Sequence, residues 1–158
     1  MGADGSRPHV LTRKATGEYP AWSPDGRRIA WASNVDLAQN FELFVADADG
    51  THVRNLTRNP AYDMGPAWSP DGRWIAFYSS CGRRDAYHGL YVMRADGSGV
   101  HRLARGPGEL PAWSPDGRFV VYAALHGLAI VRASGERVAT LELAVPTGAN
   151  FASWAPRR

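Results

Sequence analysis

Few residues in this 158-residue chain have the types and spacing that chemistry demands. Gly97-Ser98-Gly99 superficially suggests a nucleophile elbow, but the Gly-x-Ser-x-Gly spacing that exposes such a serine is absent. Ser98 instead follows an Asp-Gly pair of the kind that turns a hairpin. Asp47-Ala48-Asp49-Gly50 opens like a calcium loop and then lacks the further acidic ligands and the closing glutamate. A hairpin turn accounts for it, and Asp96-Gly97 does the same work later in the chain. The histidines His9, His52, His88, His101 and His126 form no close pair at metal-ligand spacing. Cys81 is the only cysteine, so no disulfide can form within the chain. The expectation is a protein without a catalytic set, without a metal and without a cofactor.

The elements that would position any site announce themselves by repetition. Pro20-Ala21-Trp22-Ser23-Pro24-Asp25-Gly26-Arg27 returns unchanged at 66–73 and again at 111–118. Self-similarity at a period near 45 residues marks a repeat architecture. Within each copy, Ser-Pro-Asp-Gly reads as a type I turn. Proline sets φ at its second position, Asp occupies the third, and the glycine takes the left-handed conformation that a Cβ penalises. The motif residues are thus Trp22, Pro24, Asp25 and Gly26, then Trp68, Pro70, Asp71 and Gly72, then Trp113, Pro115, Asp116 and Gly117. The three tryptophans are expected to be core residues. After each turn comes a strand that is apolar at both alternating positions, at 29–32, 74–78 and 119–123, so both of its faces must be covered.

One full copy reads as four strands, at 20–23, 28–33, 42–46 and 53–57. Blades are accordingly expected at 19–58, 65–105 and 110–143. Residues 1–13 read as an orphan outer strand, because Ala3-Asp4-Gly5 echoes Ala48-Asp49-Gly50. Residues 150–158 read as the start of a truncated copy, because Phe151-Ala152-Ser153-Trp154 echoes Tyr19-Pro20-Ala21-Trp22. The fold class is all-β: four-stranded antiparallel units, three complete, with an orphan strand at each end. A single turn of helix is allowed at 36–41.

Composition narrows the partners. The formal charge is +3, from 17 arginines and one lysine against 15 acidic residues. The basic residues are scattered and no run of five like charges exists, so the footprint of a nucleic-acid binder is missing. The first residues lack the apolar core of a signal peptide, and the longest apolar run, 119–125, is too short to cross a membrane. The chain reads as soluble, with no membrane insertion.

Pro-Ala-Trp-Ser-Pro-Asp-Gly-Arg, the Ile-Ala-Phe-like strand, Leu-Tyr-Val-Met at 90–93 and Ala-Asp-Gly-Ser at 95–98 together resemble the WD-like repeat of TolB-type β-propellers. Related repeats occur in the propellers attached to some serine peptidases. The resemblance covers residues 3–156 and implies a β-propeller-type array, with the Pro-Ala-Trp-Ser strand nearest the axis. Complete propellers have about 4–8 blades; the resemblance implies six, so three blades correspond to half a ring. It also implies a periplasmic or extracellular location.

The copies differ most in the loops of one rim. These are the second-to-third-strand loops and the connections between blades, which gather Asp36, Gln39, Tyr62, Asp63, Arg83, Arg84, Asp85, Tyr87 and His88. Aromatic and arginine side chains on loops held by rigid blades suit partner recognition. The expected function is a non-enzymatic protein-binding or scaffolding module, able to form a homodimer through its terminal blade faces. Two alternatives stand beside it: the propeller fragment of a larger enzyme such as a serine peptidase, and a small-molecule or sugar site in the axial channel.

Overall fold

A computed structural model describes residues 10, 16–34, 40–80, 88–125, 127–134 and 137–141. Twelve strands are formed among the described residues, in three antiparallel sheets of four. Blade 1 contains β1 (Thr16–Trp22), β2 (Arg28–Asn34), β3 (Glu42–Asp47) and β4 (Arg54–Asn55). Blade 2 contains β5 (Tyr62–Trp68), β6 (Trp74–Ser80), β7 (Gly89–Arg94) and β8 (His101–Arg105). Blade 3 contains β9 (Glu109–Trp113), β10 (Phe119–Ala124), β11 (Gly127–Arg132) and β12 (Arg137–Leu141). In each sheet the strands lie side by side in chain order. No helix occurs among the described residues, and the turn of helix allowed at 36–41 falls mostly outside them. Both orphan end strands also lie outside the described residues, apart from Val10.

The repeated turn is built identically three times. Gly26 N donates to Ser23 O at 2.9 Å, and the glycine φ values are +67° at Gly26 and +69° at Gly72 and Gly117. The serine hydroxyl does two jobs: Ser23 Oγ donates to Asp25 Oδ1 at 2.6 Å and accepts from Arg28 N at 2.9 Å. Ser69 and Ser114 repeat both bonds at the same distances. These bonds hold the carboxyls of Asp25 and Asp71 below the usual carboxylate range, the serine donor contributing most. The turn serines are buried.

The inner strands begin two to four residues earlier than the motif suggests. β1 starts at Thr16 and β5 at Tyr62, so Pro20 and Pro66 sit inside strands. Each inner strand is the edge of its sheet, where a proline costs no ladder bond. A bulge precedes each proline, marked by a register shift between Glu18 and Ala21 and between Met64 and Ala67. The residue before the proline is left-handed every time: Tyr19 at φ +53°, Gly65 at +61° and Leu110 at +50°.

The cores lie between blades. Ala30, Ala32, Leu43 and Val45 of blade 1 pack against Trp68, Ile75, Phe77 and Met93 of blade 2. Ala76, Leu90, Val92 and Leu103 of blade 2 pack against Val120, Tyr122, Ala129 and Val131 of blade 3. Blade 2 is therefore covered on both faces, which is why its second strand does not alternate between apolar and polar residues. The tryptophans of the second and third inner strands each tie their blade to the one before. Trp68 Nε1 donates to Ala21 O at 3.2 Å, and Trp113 Nε1 donates to Ala67 O at 3.0 Å. The Arg28 guanidinium of blade 1 also lies over the Trp68 ring, 4.8 Å from its centroid.

Trp22 departs from the expectation of three core tryptophans. It is 59% exposed, against 8% for Trp68. The reason is topological, because no inner strand precedes β1 among the described residues to offer a carbonyl. Elsewhere on that face, Ile29, Trp31 and Ala46 are buried with Phe44, and Trp31 stacks on Phe44 at 5.9 Å. Exposure on this side of blade 1 is thus concentrated on the inner strand, at Trp22.

Candidate functional site

Three of the nine rim residues singled out from the sequence are described: Tyr62, Asp63 and His88. Asp36, Gln39, Arg83, Arg84, Asp85 and Tyr87 lie outside the described residues. The three occupy different roles. Asp63 is fully buried at the start of β5, so it does not present itself on the rim. Its N–H donates to Phe41 O at 2.8 Å, and its Oδ2 accepts from Asn59 Nδ2 at 2.9 Å. Its Oδ1 is buried without a hydrogen bond. Burial pushes the Asp63 carboxyl above the usual range, opposed by the nearby Ser79, Asn59 and Thr57 donors.

Asp63 is one end of a polar cluster that pins the first inter-blade connection to blade 1. Glu42 accepts from Thr57 Oγ1 at 2.7 Å, from Asn59 N at 3.1 Å and from Asn40 Nδ2 at 3.1 Å. Asn40 Nδ2 also donates to Asn59 O at 2.8 Å. Burial raises the Glu42 carboxyl too; its donors counter this, and the charge of Asp63 adds to it. The arrangement positions a loop, since its hydrogen bonds join the connection 57–61 to β3.

Tyr62 and His88 stand beside a cavity of about 340 Å³ to which all three blades contribute. Blade 1 supplies Tyr19, blade 2 supplies Tyr62, Met64, Gly65 and Tyr78, and blade 3 supplies Glu109 and Leu110. The cavity has a simple origin. Tyr19, Gly65 and Leu110 are the same position in successive blades, each left-handed, and the middle one has no side chain. Phe41 holds the Tyr62 ring, with centroids 5.0 Å apart. His88 lies beside this wall, its Nδ1 3.2 Å from the Tyr78 hydroxyl. Desolvation raises both phenols. The carboxylates of Glu18, near Tyr62, and Glu109, near Tyr78, raise them further, so both stay protonated as hydrogen-bond donors. The sequence reading did not single out Tyr19, Met64, Tyr78, Glu109 or Leu110. The available signal was that the residue before the invariant Pro-Ala-Trp-Ser is the one that changes, from Tyr to Gly to Leu.

A second cavity, of about 450 Å³, opens between blades 2 and 3 beside their Ser-Pro-Asp-Gly turns and is walled by Trp74 and Trp113. The remaining sequence candidates are turn residues. Ser98 N donates to Asp96 Oδ1 at 2.8 Å and Arg94 N donates to Ser98 O at 2.8 Å, which closes the turn. Asp49 Oδ1 accepts from Thr51 N at 2.9 Å and from Thr51 Oγ1 at 2.7 Å. Asp47 Oδ2 meets His52 Nδ1 at 2.7 Å on the surface, where such a pair contributes little. Among the described residues no three His, Cys, Asp or Glu side chains come together as a metal site would require.

Four-stranded blades stacked face to face, with inner strands side by side, define a β-propeller-type array. Residues 3–157 match the family model of the TolB beta propeller domain, and the chain belongs to that family. A TolB of Agrobacterium tumefaciens is 29% identical, with a TM-score of 0.61 over 75% of this chain and 44% of that one. TolB of Acinetobacter baumannii is 21% identical, with a TM-score of 0.66 over 88% of this chain and 36% of that one. The oligogalacturonate lyase of Vibrio parahaemolyticus shares the fold at 14% identity, with a TM-score of 0.60 over 82% of this chain and 40% of that one. The chain therefore spans less than half the length of these structures. No curated protein sequence matches it.

Proposed function

We propose that this chain is a non-catalytic protein-binding module, a rigid set of propeller blades whose exposed inner edge accepts a further blade and whose rim loops meet a protein partner. The observation that supports this reading is the contrast between Trp22 and its two counterparts. Trp68 and Trp113 each dock on the preceding inner strand, whereas Trp22 carries the same donor and ring at 59% exposure. An indole that is packed and hydrogen-bonded in both other copies, buried at Trp68 and partly buried at Trp113, is a ready-made contact. The occupant in this reading is another blade of the same type, from a second copy of the chain or from more of a longer protein. The described acidic side chains of the turns fit the same reading, being engaged in structural hydrogen bonds. By analogy with the TolB family the module works in the periplasm or outside the cell.

Light scattering across a dilution series tests the self-docking form. The expected result is a concentration-dependent dimer for the wild type and a shift to monomer for Trp22→Glu. A wild-type chain that stays monomeric at every concentration, or a Trp22→Glu chain that dimerises equally well, overturns it.

A further inference from the structure

We propose that the cavity shared by the three inner strands binds the cationic head of an organic ligand, an alkylammonium or a guanidinium. Its walls carry the chemistry such a head needs. Three tyrosine rings, Tyr19, Tyr62 and Tyr78, line the space with the carboxylate of Glu109. The negative face of an aromatic ring attracts a cation, more strongly where water is partly excluded. Among the described residues, no arginine or lysine lines the cavity.

The fold shows the same attraction satisfied from within at other places. Arg28 lies over Trp68 at 4.8 Å, Arg94 over Trp74 at 5.7 Å, and Arg118 and Arg132 over Phe119 at 5.7 and 5.5 Å. At the axial cavity the rings and the carboxylate are present, and no described arginine fills the space between them. The volume, about 340 Å³, lies within the range of small-ligand sites. Gly65 keeps the blade 3 side of the space open, because a side chain there would stand against Leu110 and Pro111. Glu18 adds a second carboxylate near Tyr62. This inference does not depend on whether the chain dimerises.

The test is a calorimetric titration of the full chain with choline chloride and with N-acetylarginine amide, at ionic strength matched with sodium chloride. A neutral disaccharide serves as comparator. Saturable binding of either cation is expected, without binding of the disaccharide. Preference for choline points to a free quaternary ammonium ligand, and preference for the arginine amide points to a peptide side chain. Glu109→Gln is expected to weaken the cation by about tenfold. Gly65→Asn, which keeps a left-handed backbone accessible while adding a side chain against Leu110, is expected to abolish binding. If Gly65→Asn fails to fold, the exposed Glu109→Gln change decides alone. No saturable cation binding by the wild type overturns the proposal. So does unchanged affinity in Glu109→Gln, or a preference for the disaccharide.

Discussion

At the scale of single residues, two kinds of carboxylate coexist and respond to pH in opposite senses. The turn aspartates Asp25 and Asp71 are held low by serine and backbone donors, so what they contribute is present above the unfolded value and lost as pH falls. Asp63 and Glu42 are raised by burial. Their contribution is complete below the unfolded value, about pH 4, and is lost as pH rises through the folded value. Asp63 is the sharper case because its Oδ1 is buried without a hydrogen bond. Replacing Asp63 by Asn removes the charge that must be desolvated. The unfolding free energy of Asp63→Asn, measured in urea from pH 4 to pH 8, should gain on the wild type as pH rises from about 4 and level off once the folded-state carboxyl has ionised. A difference that stays flat across that range would show that Asp63 does not carry the effect.

At the scale of elements, the unit of stability is the contact between blades, because the apolar clusters form across them. The inner-strand tryptophan is the most directional part of that contact. Trp68→Phe keeps an aromatic ring but removes the donor to Ala21 O and some packing, at an expected cost of about 1–3 kcal/mol. Trp22→Phe changes an exposed ring and should stay within about 0.5 kcal/mol. Chemical denaturation of the two variants side by side checks the contrast, and equal costs would mean that the docking bond is not what distinguishes them. The bulge before each proline belongs to this scale as well. It places Tyr19 and Leu110 in the left-handed region, where a bulky side chain carries strain, and thereby sets residues from three blades around one opening.

For the whole molecule, stacked repeats touch only their neighbours, so stability is distributed along the array and the middle repeat holds the most. Blade 2 is covered by blade 1 through Ile75 and Phe77 and by blade 3 through Ala76 and Val92. Amide hydrogen exchange should therefore be slowest in β6 and β7, and fastest in the two-residue β4 on the outer edge of blade 1. Faster exchange in β6 than in β2 would contradict the stacking argument. The association proposed above is assigned to the inner edge of blade 1, where Trp22 is exposed.

The sequence by itself determined the architecture. An eight-residue identity repeated three times specified the turn, the strand after it and the period, because each of these depends on residues adjacent in the chain. Ser23, Asp25 and Gly26 form one local hydrogen-bonded unit, and their copies at Ser69 and Ser114 form the same one. Tertiary structure alone decided which identical residues are equivalent in fact. Trp22 and Trp68 are the same letter in the same motif, yet the neighbour that buries one is more than forty residues from it in the chain. The start of each inner strand was hidden for a related reason, since a proline reads as a strand boundary until the strand is known to lie at a sheet edge. The axial cavity was beyond local reading because Tyr19, Gly65 and Leu110 meet only when three blades are stacked, and only their stacking turns a missing side chain into a space.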